Sequence, residues 1–342
     1  MMRILIFVTL LAFCRGQGEL GDLDSVFKHI FGNPNSQTTA NPLPQASTLV
    51  WRISDNEVGD KSCKMEDGRI GECVRYYLCN ANNSAITDGI DIIDIRIVPA
   101  SDNEPNGQKL NVYFCGGSLI HPSIVLTAAH NVAGAKALVA RAGEWDTQTT
   151  KEIYPHQDRD VARIEVHKYF NKVKAFYDIA LLFLAQPMDL TPNVGVVCLP
   201  PPRERVPGGT SCFASGWGKD KFGKEGRYQF ILKKVEVPVV ERSTCQTQLQ
   251  NTSLGHSFEL HTSFMCAGGE AGKDTCEGDG GSPLSCPIEY ETDRYMQSGI
   301  VTWGIGCGEV GIPGVYVDVS NLRNWIDDQV AGAGYDPMTY TI

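Results

Sequence analysis

The chain has 342 residues, enough for two or three folding units at roughly 100 to 200 residues each. Hydrophobic residues make up 42% and charged residues 20%, the composition of a globular chain with a sizeable core and not of a disordered one. Thirty Lys plus Arg against forty Asp plus Glu leave a net charge of −10, the opposite of the balance a general nucleic-acid binder carries.

Met1 to Gly16 reads as a secretory signal peptide: Arg3, an apolar run from Ile4 to Phe13, then Cys14-Arg15-Gly16 near the cut. The run is too short to span a bilayer, which takes about 20 residues, and no other stretch is apolar enough, so no membrane partner is expected. Secretion gives the twelve cysteines their meaning, a disulfide framework in preference to metal sites. It also makes the sequons at Asn82 and Asn251 glycosylation candidates.

Residues 17–60 read as a flexible leader, acidic at first and then rich in Asn, Pro, Ser, Thr and Gln. Within it Leu23, Val26, Phe27, Ile30 and Phe31 have helical spacing behind Asp22 as N-cap. So short a helix needs a surface to dock on, either the main body or a partner. Residues 61–98 form a small cysteine module, with Cys63, Cys73 and Cys79 followed by the strand-like run Ile90 to Ile97. It lacks a Cys-x-x-Cys pair, so zinc is a poor reading. From about Asn111 the pattern changes to short β-rich runs, among them Ile124 to Thr127, Val161 to Val166 and Ile179 to Phe183, separated by Gly, Pro, Asn and Asp turns. That predicts an all-β body of more than about 200 residues. One clear helix follows, capped by Ser320, with Leu322, Trp325, Ile326 and Val330 on one face. Residues 332–342 are left as a C-terminal tail.

Three local motifs carry chemistry. Leu126-Thr127-Ala128-Ala129-His130 sets a histidine after a buried strand, Tyr177-Asp178-Ile179-Ala180-Leu181-Leu182 sets an aspartate before an apolar run, and Gly278-Asp279-Gly280-Gly281-Ser282 follows Cys276. A buried carboxylate orienting an imidazole that deprotonates a nucleophile is the logic of a catalytic triad. Singly, each residue would more often be structural; their order gives the set its weight.

With Cys115-Gly116-Gly117-Ser118-Leu119-Ile120, Gly216-Trp217-Gly218 and Thr302-Trp303-Gly304, residues 99–331 resemble a trypsin-like peptidase domain. The resemblance implies two six-stranded antiparallel β-barrels with a cleft between them. It also implies three bridges, Cys212 to Cys286, Cys245 to Cys266 and Cys276 to Cys307. The nucleophilic serine of the family falls on Gly280, which has nothing to deprotonate, and loss of the nucleophile typically removes about six orders of magnitude in turnover. His130, Asp178 and Gly280 thus read as a vestigial triad. The family places its oxyanion donors at Gly278 and Gly280, aimed at an attack from position 280, which argues against Ser282 as a substitute. Asp274 matches the carboxylate at the base of a specificity pocket walled by Trp303, Gly304 and Gly306, which in active relatives selects Lys or Arg. In the family the aspartate at Asp279 pairs with a new N-terminal amine after cleavage, so an uncleaved chain should keep this pocket collapsed. No Arg-Ile-Val-Gly-Gly activation site exists, and Arg96-Ile97-Val98-Pro99 is a superficial match.

The cysteine module resembles the first half of a clip domain. A clip module ahead of a peptidase domain with glycine for serine is the pattern of arthropod clip-domain serine protease homologues, the masquerade-like cofactors of phenoloxidase activation. The resemblance implies a secreted haemolymph protein in innate immunity that assists prophenoloxidase activation and melanisation by binding prophenoloxidase and clip-domain proteases, with oligomerisation left open. An active protease using Ser282 and an extracellular adhesion or scaffold protein are the alternatives. The chain departs from the pattern: only three clip cysteines are present, and the first barrel strand is expected to be missing between Ile97 and Asn111. Asn131 stands where active relatives have the partner of Cys115. Once Cys14 is removed, Cys63, Cys73, Cys79, Cys115 and Cys198 remain, an odd number, and Cys198 is expected to have lost its partner. No cofactor is required. Calcium held by Glu144 and Glu152 is set against an ordinary solvated acidic loop.

Overall fold

The computed structural model describes residues 62–64, 70–72 and 95–99 as strands, and residues 115–149, 153–291 and 293–342 throughout. The signal peptide, the leader with its amphipathic segment, Cys73, Cys79, Asn82 and Glu152 lie outside the described residues. The chain divides into two units, residues 16–88 and residues 1–15 with 89–342. In the first, β1 (Ser62–Lys64) and β2 (Ile70–Glu72) form a two-stranded antiparallel sheet with Cys63 opposite Gly71.

In the larger unit, β3 (Ile95–Pro99), β4 (Ser118–His121), β5 (Ile124–Thr127), β6 (Leu138–Ala142), β7 (Gln157–Val166) and β8 (Ala180–Leu184) make one antiparallel sheet. Its order is β3-β6-β7-β8-β5-β4. Then β9 (Ser211–Gly216), β10 (Lys233–Val240), β11 (Phe264–Gly268), β12 (Pro283–Pro287), β13 (Tyr295–Trp303) and β14 (Pro313–Asp318) close into a barrel of order β10-β11-β14-β13-β12-β9. The expected all-β, two-part six-stranded architecture holds, with one half closed. In the other, edge strands β3 and β4 do not pair with each other among the described residues.

The run Ile124–Thr127 is apolar without alternation because both of its faces are covered. Val125 joins Leu119, Leu138, Ala140 and Leu182 in a core inside the first sheet. Ile124 and Leu126 point the other way, into a core shared with Ile300, Val317, Leu322, Ile326 and Val330. That second core fastens the barrel and the C-terminal helix (Val319–Gly332) to the first sheet. A third fills the barrel around Val237, Leu284 and Tyr316.

Several boundaries differ from the sequence reading. Ile95–Pro99, read as part of the cysteine module, pairs with β6, Arg96 opposite Arg141, so the sheet does have a strand ahead of β4. The Arg96–Ile97 bond therefore lies within a paired strand, where proteolysis is disfavoured. The C-terminal helix is capped by Asp318, whose Oδ1 accepts from Asn321 N at 3.1 Å, while Ser320 lies inside the first turn and donates Oγ–H to that carboxylate at 2.7 Å. Two further helices, Ala129–Val132 and Arg242–Gln250, lie outside the sequence reading; on the longer one only Cys245 and Leu249 are buried, too few for a periodic signal. The tail is packed: residues Pro337–Tyr340 form a 3-10 turn, Tyr340 is fully buried, and its carbonyl accepts from Leu199 N at 2.9 Å. Bridges Cys212–Cys286, Cys245–Cys266 and Cys276–Cys307 are present. Cys198 is itself disulfide-bonded, which corrects the expectation that it had lost its partner.

Candidate active-site cleft

The four-residue helix Ala129–Val132 after β5 carries His130, and the residue before Ile179 and β8 is Asp178. Because β5 and β8 pair directly, Thr127 opposite Ala180, the ends of two adjacent strands bring the imidazole and the carboxylate together. Asp178 is completely buried. Its Oδ2 lies 2.6 Å from His130 Nδ1 and its Oδ1 accepts from His130 N at 2.6 Å, while Thr302 Oγ–H donates to Oδ2 from β13. An imidazole held at Nδ1 by a carboxylate presents Nε2 as the free nitrogen.

The space in front of Nε2 belongs to Gly280. A Cβ built there would lie 2.9 Å from His130 Nε2 and 3.0 Å from Asn131 Nδ2. The Asn131 amide nitrogen is buried with no hydrogen-bond partner among the described residues, and sequence reasoning did not place it against Gly280. Ser282 is fully buried. Its Oγ packs on Gly116, where an added Cβ would fall 1.9 Å away, so this hydroxyl is enclosed within the fold.

Residues of two segments, Asp274–Gly280 and Val301–Cys307, line a cavity of ≈ 320 Å³ together with His130, Asn131 and Phe222. Trp303, Gly304 and Gly306 lie on it. Asp274 Oδ1 accepts from Thr275 N at 2.9 Å and Oδ2 from Gly308 N at 3.0 Å, and burial raises its carboxyl above the usual range. Asp279 accepts from Gly218 N at 2.7 Å and Cys276 N at 2.8 Å. No cation pairs with it among the described residues, and burial pushes its carboxyl up to about 6 against the pull of those two amides. Both carboxylates border a second cavity of ≈ 370 Å³ behind the loop, and Asp274 lines the first as well. Gly278 has a φ of +99°, and a Cβ on it would meet Tyr228 Cε1 at 2.5 Å, so the Lys219–Tyr228 loop lies against this segment.

Away from the cleft, Asn251 is exposed at the end of its helix. Glu144 Oε2 lies 3.1 Å from Arg141 Nη1 and 3.4 Å from His156 Nδ1. A buried carboxylate facing a guanidinium and an imidazole is not an oxygen cage, so the described part of this loop does not fit calcium.

A two-part β body with a buried Asp–His pair at the ends of adjacent strands is the framework of a trypsin-type peptidase domain. The chain belongs to the trypsin family, whose family model matches residues 101–326, in the branch of clip-domain serine protease homologues. The model for the serine protease Clip domain PPAF-2 matches residues 60–116. Phenoloxidase-activating factor 2 of Galleria mellonella is 73% identical over 247 residues, 72% of this chain and 82% of the relative. Inactive CLIP domain-containing serine protease A28 of Anopheles gambiae is 44% identical over 220 residues, 64% of this chain and 56% of the relative. Inactive CLIP domain-containing serine protease A3 of Aedes aegypti is 46% identical over 228 residues, 65% of this chain and 47% of the relative. The chain therefore spans about half the length of the last two.

Proposed function

We propose that this chain is a secreted, non-catalytic cofactor of a clip-protease cascade in haemolymph, assisting activation of prophenoloxidase and so melanisation. The observation that carries this reading is Gly280 opposite His130 Nε2: the base is oriented and nothing in front of it can be deprotonated. The names of the relatives, a phenoloxidase-activating factor and two inactive CLIP proteases, support the cascade role. Its partners are then prophenoloxidase and clip-domain proteases, engaged by binding and assembly. A protease acting through Ser282 is disfavoured because that hydroxyl is enclosed against Gly116.

The test has two arms. The purified chain, before and after limited proteolysis, is assayed on an arginyl ester and exposed to an organophosphonate label; neither turnover nor label is expected. The same chain is then added to prophenoloxidase with an active clip protease, and phenoloxidase activity should rise in proportion to it. Turnover in the first arm would make it an enzyme, and no rise in the second would remove the cofactor role.

A further inference from the structure

Two lysine-rich loops adjoin the cleft of a chain whose net charge is −10. The first is the hairpin of residues 167–178, where Lys168, Lys172 and Lys174 are exposed and make no ion pair among the described residues. Asn171 Oδ1 accepts from Val173 N and Lys174 N at 3.0 Å each, and Asn171 N donates to Phe176 O at 3.0 Å. Phe176 stacks on His261 at 3.9 Å and Tyr177 on His167 at 4.7 Å. The hairpin is thus organised before anything binds, which lowers the ordering cost of binding. It adjoins the Trp303 wall through Phe264, whose ring lies 6.0 Å from Phe176 and 5.9 Å from Trp303.

The second is the Lys219–Tyr228 loop on Gly278. Lys219 is committed to Glu277 and to Gly223 O, but Lys221 and Lys224 are exposed with no ion pair among the described residues. Asp220 and Glu225 reduce the positive charge of this loop without cancelling it, since Arg227 is basic as well. Apolar side chains stand among the lysines: Val173 is 95% exposed, Tyr169 62%, and Phe222 58% while also lining the cleft.

We propose that these two loops form a docking surface for an acidic segment of a partner protein that also carries apolar side chains. Its carboxylates meet the five exposed lysines, and its apolar groups cover Val173, Tyr169 and Phe222. Asp274 in the cavity wall repels carboxylates from the cleft floor and keeps them at the loops. A sulfated polysaccharide has no apolar side chains to cover Val173 and Phe222, and a membrane surface would not enter a concave cleft. The inference rests on the reading that the cleft binds without cutting.

The test measures binding of the full chain to four probes: a labelled octapeptide alternating Glu and Phe, an all-glutamate octapeptide, a heparin hexasaccharide, and phosphatidylglycerol vesicles. The mixed peptide should bind several-fold more tightly than the all-glutamate one. Reversal of Lys168→Glu, Lys172→Glu and Lys174→Glu together should weaken it at least about tenfold, and so should raising ionic strength from about 0.05 to about 0.3 M. Val173→Ser with Phe222→Ser, both exposed positions, should bring the mixed peptide down to the level of the all-glutamate one. The proposal is overturned if charge reversal changes nothing, if no probe binds, if heparin or vesicles bind without a preference for the mixed peptide, or if the serine variants keep that preference. An arginyl ester assayed on the same preparation separates the two readings. Turnover of the ester sinks the non-catalytic function, while an unbound mixed peptide without ester turnover sinks only the docking surface.

Discussion

The two sides of the cleft have had different fates. On one, His130 is held by Asp178 through two contacts of 2.6 Å, with Thr302 as a third donor to the carboxylate. On the other, Gly280 of the Asp274–Gly280 segment presents no side chain to His130 Nε2, and Asp279 is turned onto the amides of Gly218 and Cys276. The difference shows that the Asp–His pair has a structural value apart from chemistry. Asp178 lies where β5, β8 and β13 meet, and a buried carboxylate there needs all three donors. Gly280, which lines the cleft, carries no buried polar group that would make such a demand.

The largest expected effect breaks the preserved side. Asp178→Ala strands the His130 amide and imidazole and the Thr302 hydroxyl, and should cost about 3 to 5 kcal/mol in chemical denaturation. A loss below about 1 kcal/mol, the level of an exposed ion pair, would show that the pair does not fasten the sheet to the barrel.

A smaller effect sharpens the other side through pH. The Asp279 carboxyl titrates at about 6 in the folded chain against 3.8 as its ordinary value, so between those values the folded state binds more protons than the unfolded one. Its contribution to stability therefore falls as pH rises from about 4 to about 6 and is flat above, by about 3 kcal/mol in all. His121, His167 and His261 oppose it. Burial pushes their imidazoles below 6.5, so their contribution is lost as pH falls through the range below 6.5. Comparing the chain with Asp279→Asn by urea denaturation at pH 4.5 and pH 7 isolates the carboxyl. The variant should lack this acid-side gain, and equal pH dependence would remove Asp279 as its source.

The smallest effect expected is on turnover in Gly280→Ser. The new Cβ is crowded by His130 Nε2 and Asn131 Nδ2, and Asp279 stays on its two amides. Ester hydrolysis should remain at background, with a stability loss of about 1 kcal/mol for the crowding. Measurable hydrolysis would mean that the Asp274–Gly280 segment is already in a productive form.

The motifs around His130, Asp178 and Gly280 were legible because each is a contiguous phrase whose neighbours in sequence are also its neighbours in space. The two-way burial of Ile124–Thr127 was legible for a similar reason, since a strand covered on both faces shows as an unbroken apolar run. Other features left weaker traces. Helix Arg242–Gln250 buries two side chains and is fastened by the Cys245–Cys266 bridge, so its sequence has little periodicity to read. Asp318 and Ser320 are both capable caps two residues apart, and the carboxylate wins by accepting from Asn321 N and the Ser320 hydroxyl together.

By itself the sequence determined the all-β class and the residues of the motifs around His130, Asp178 and Gly280, because these depend on residue identity within contiguous phrases, while the three disulfide pairs followed from the resemblance to the trypsin-like family. Only the tertiary structure decided what lies across from what. It set Ile95–Pro99 beside β6, enclosed Tyr340 in the core, and put the Asn131 amide against the space in front of His130. Pairings between distant segments are settled by packing and by which buried polar groups find partners, and neither quantity is written in any one stretch of chain.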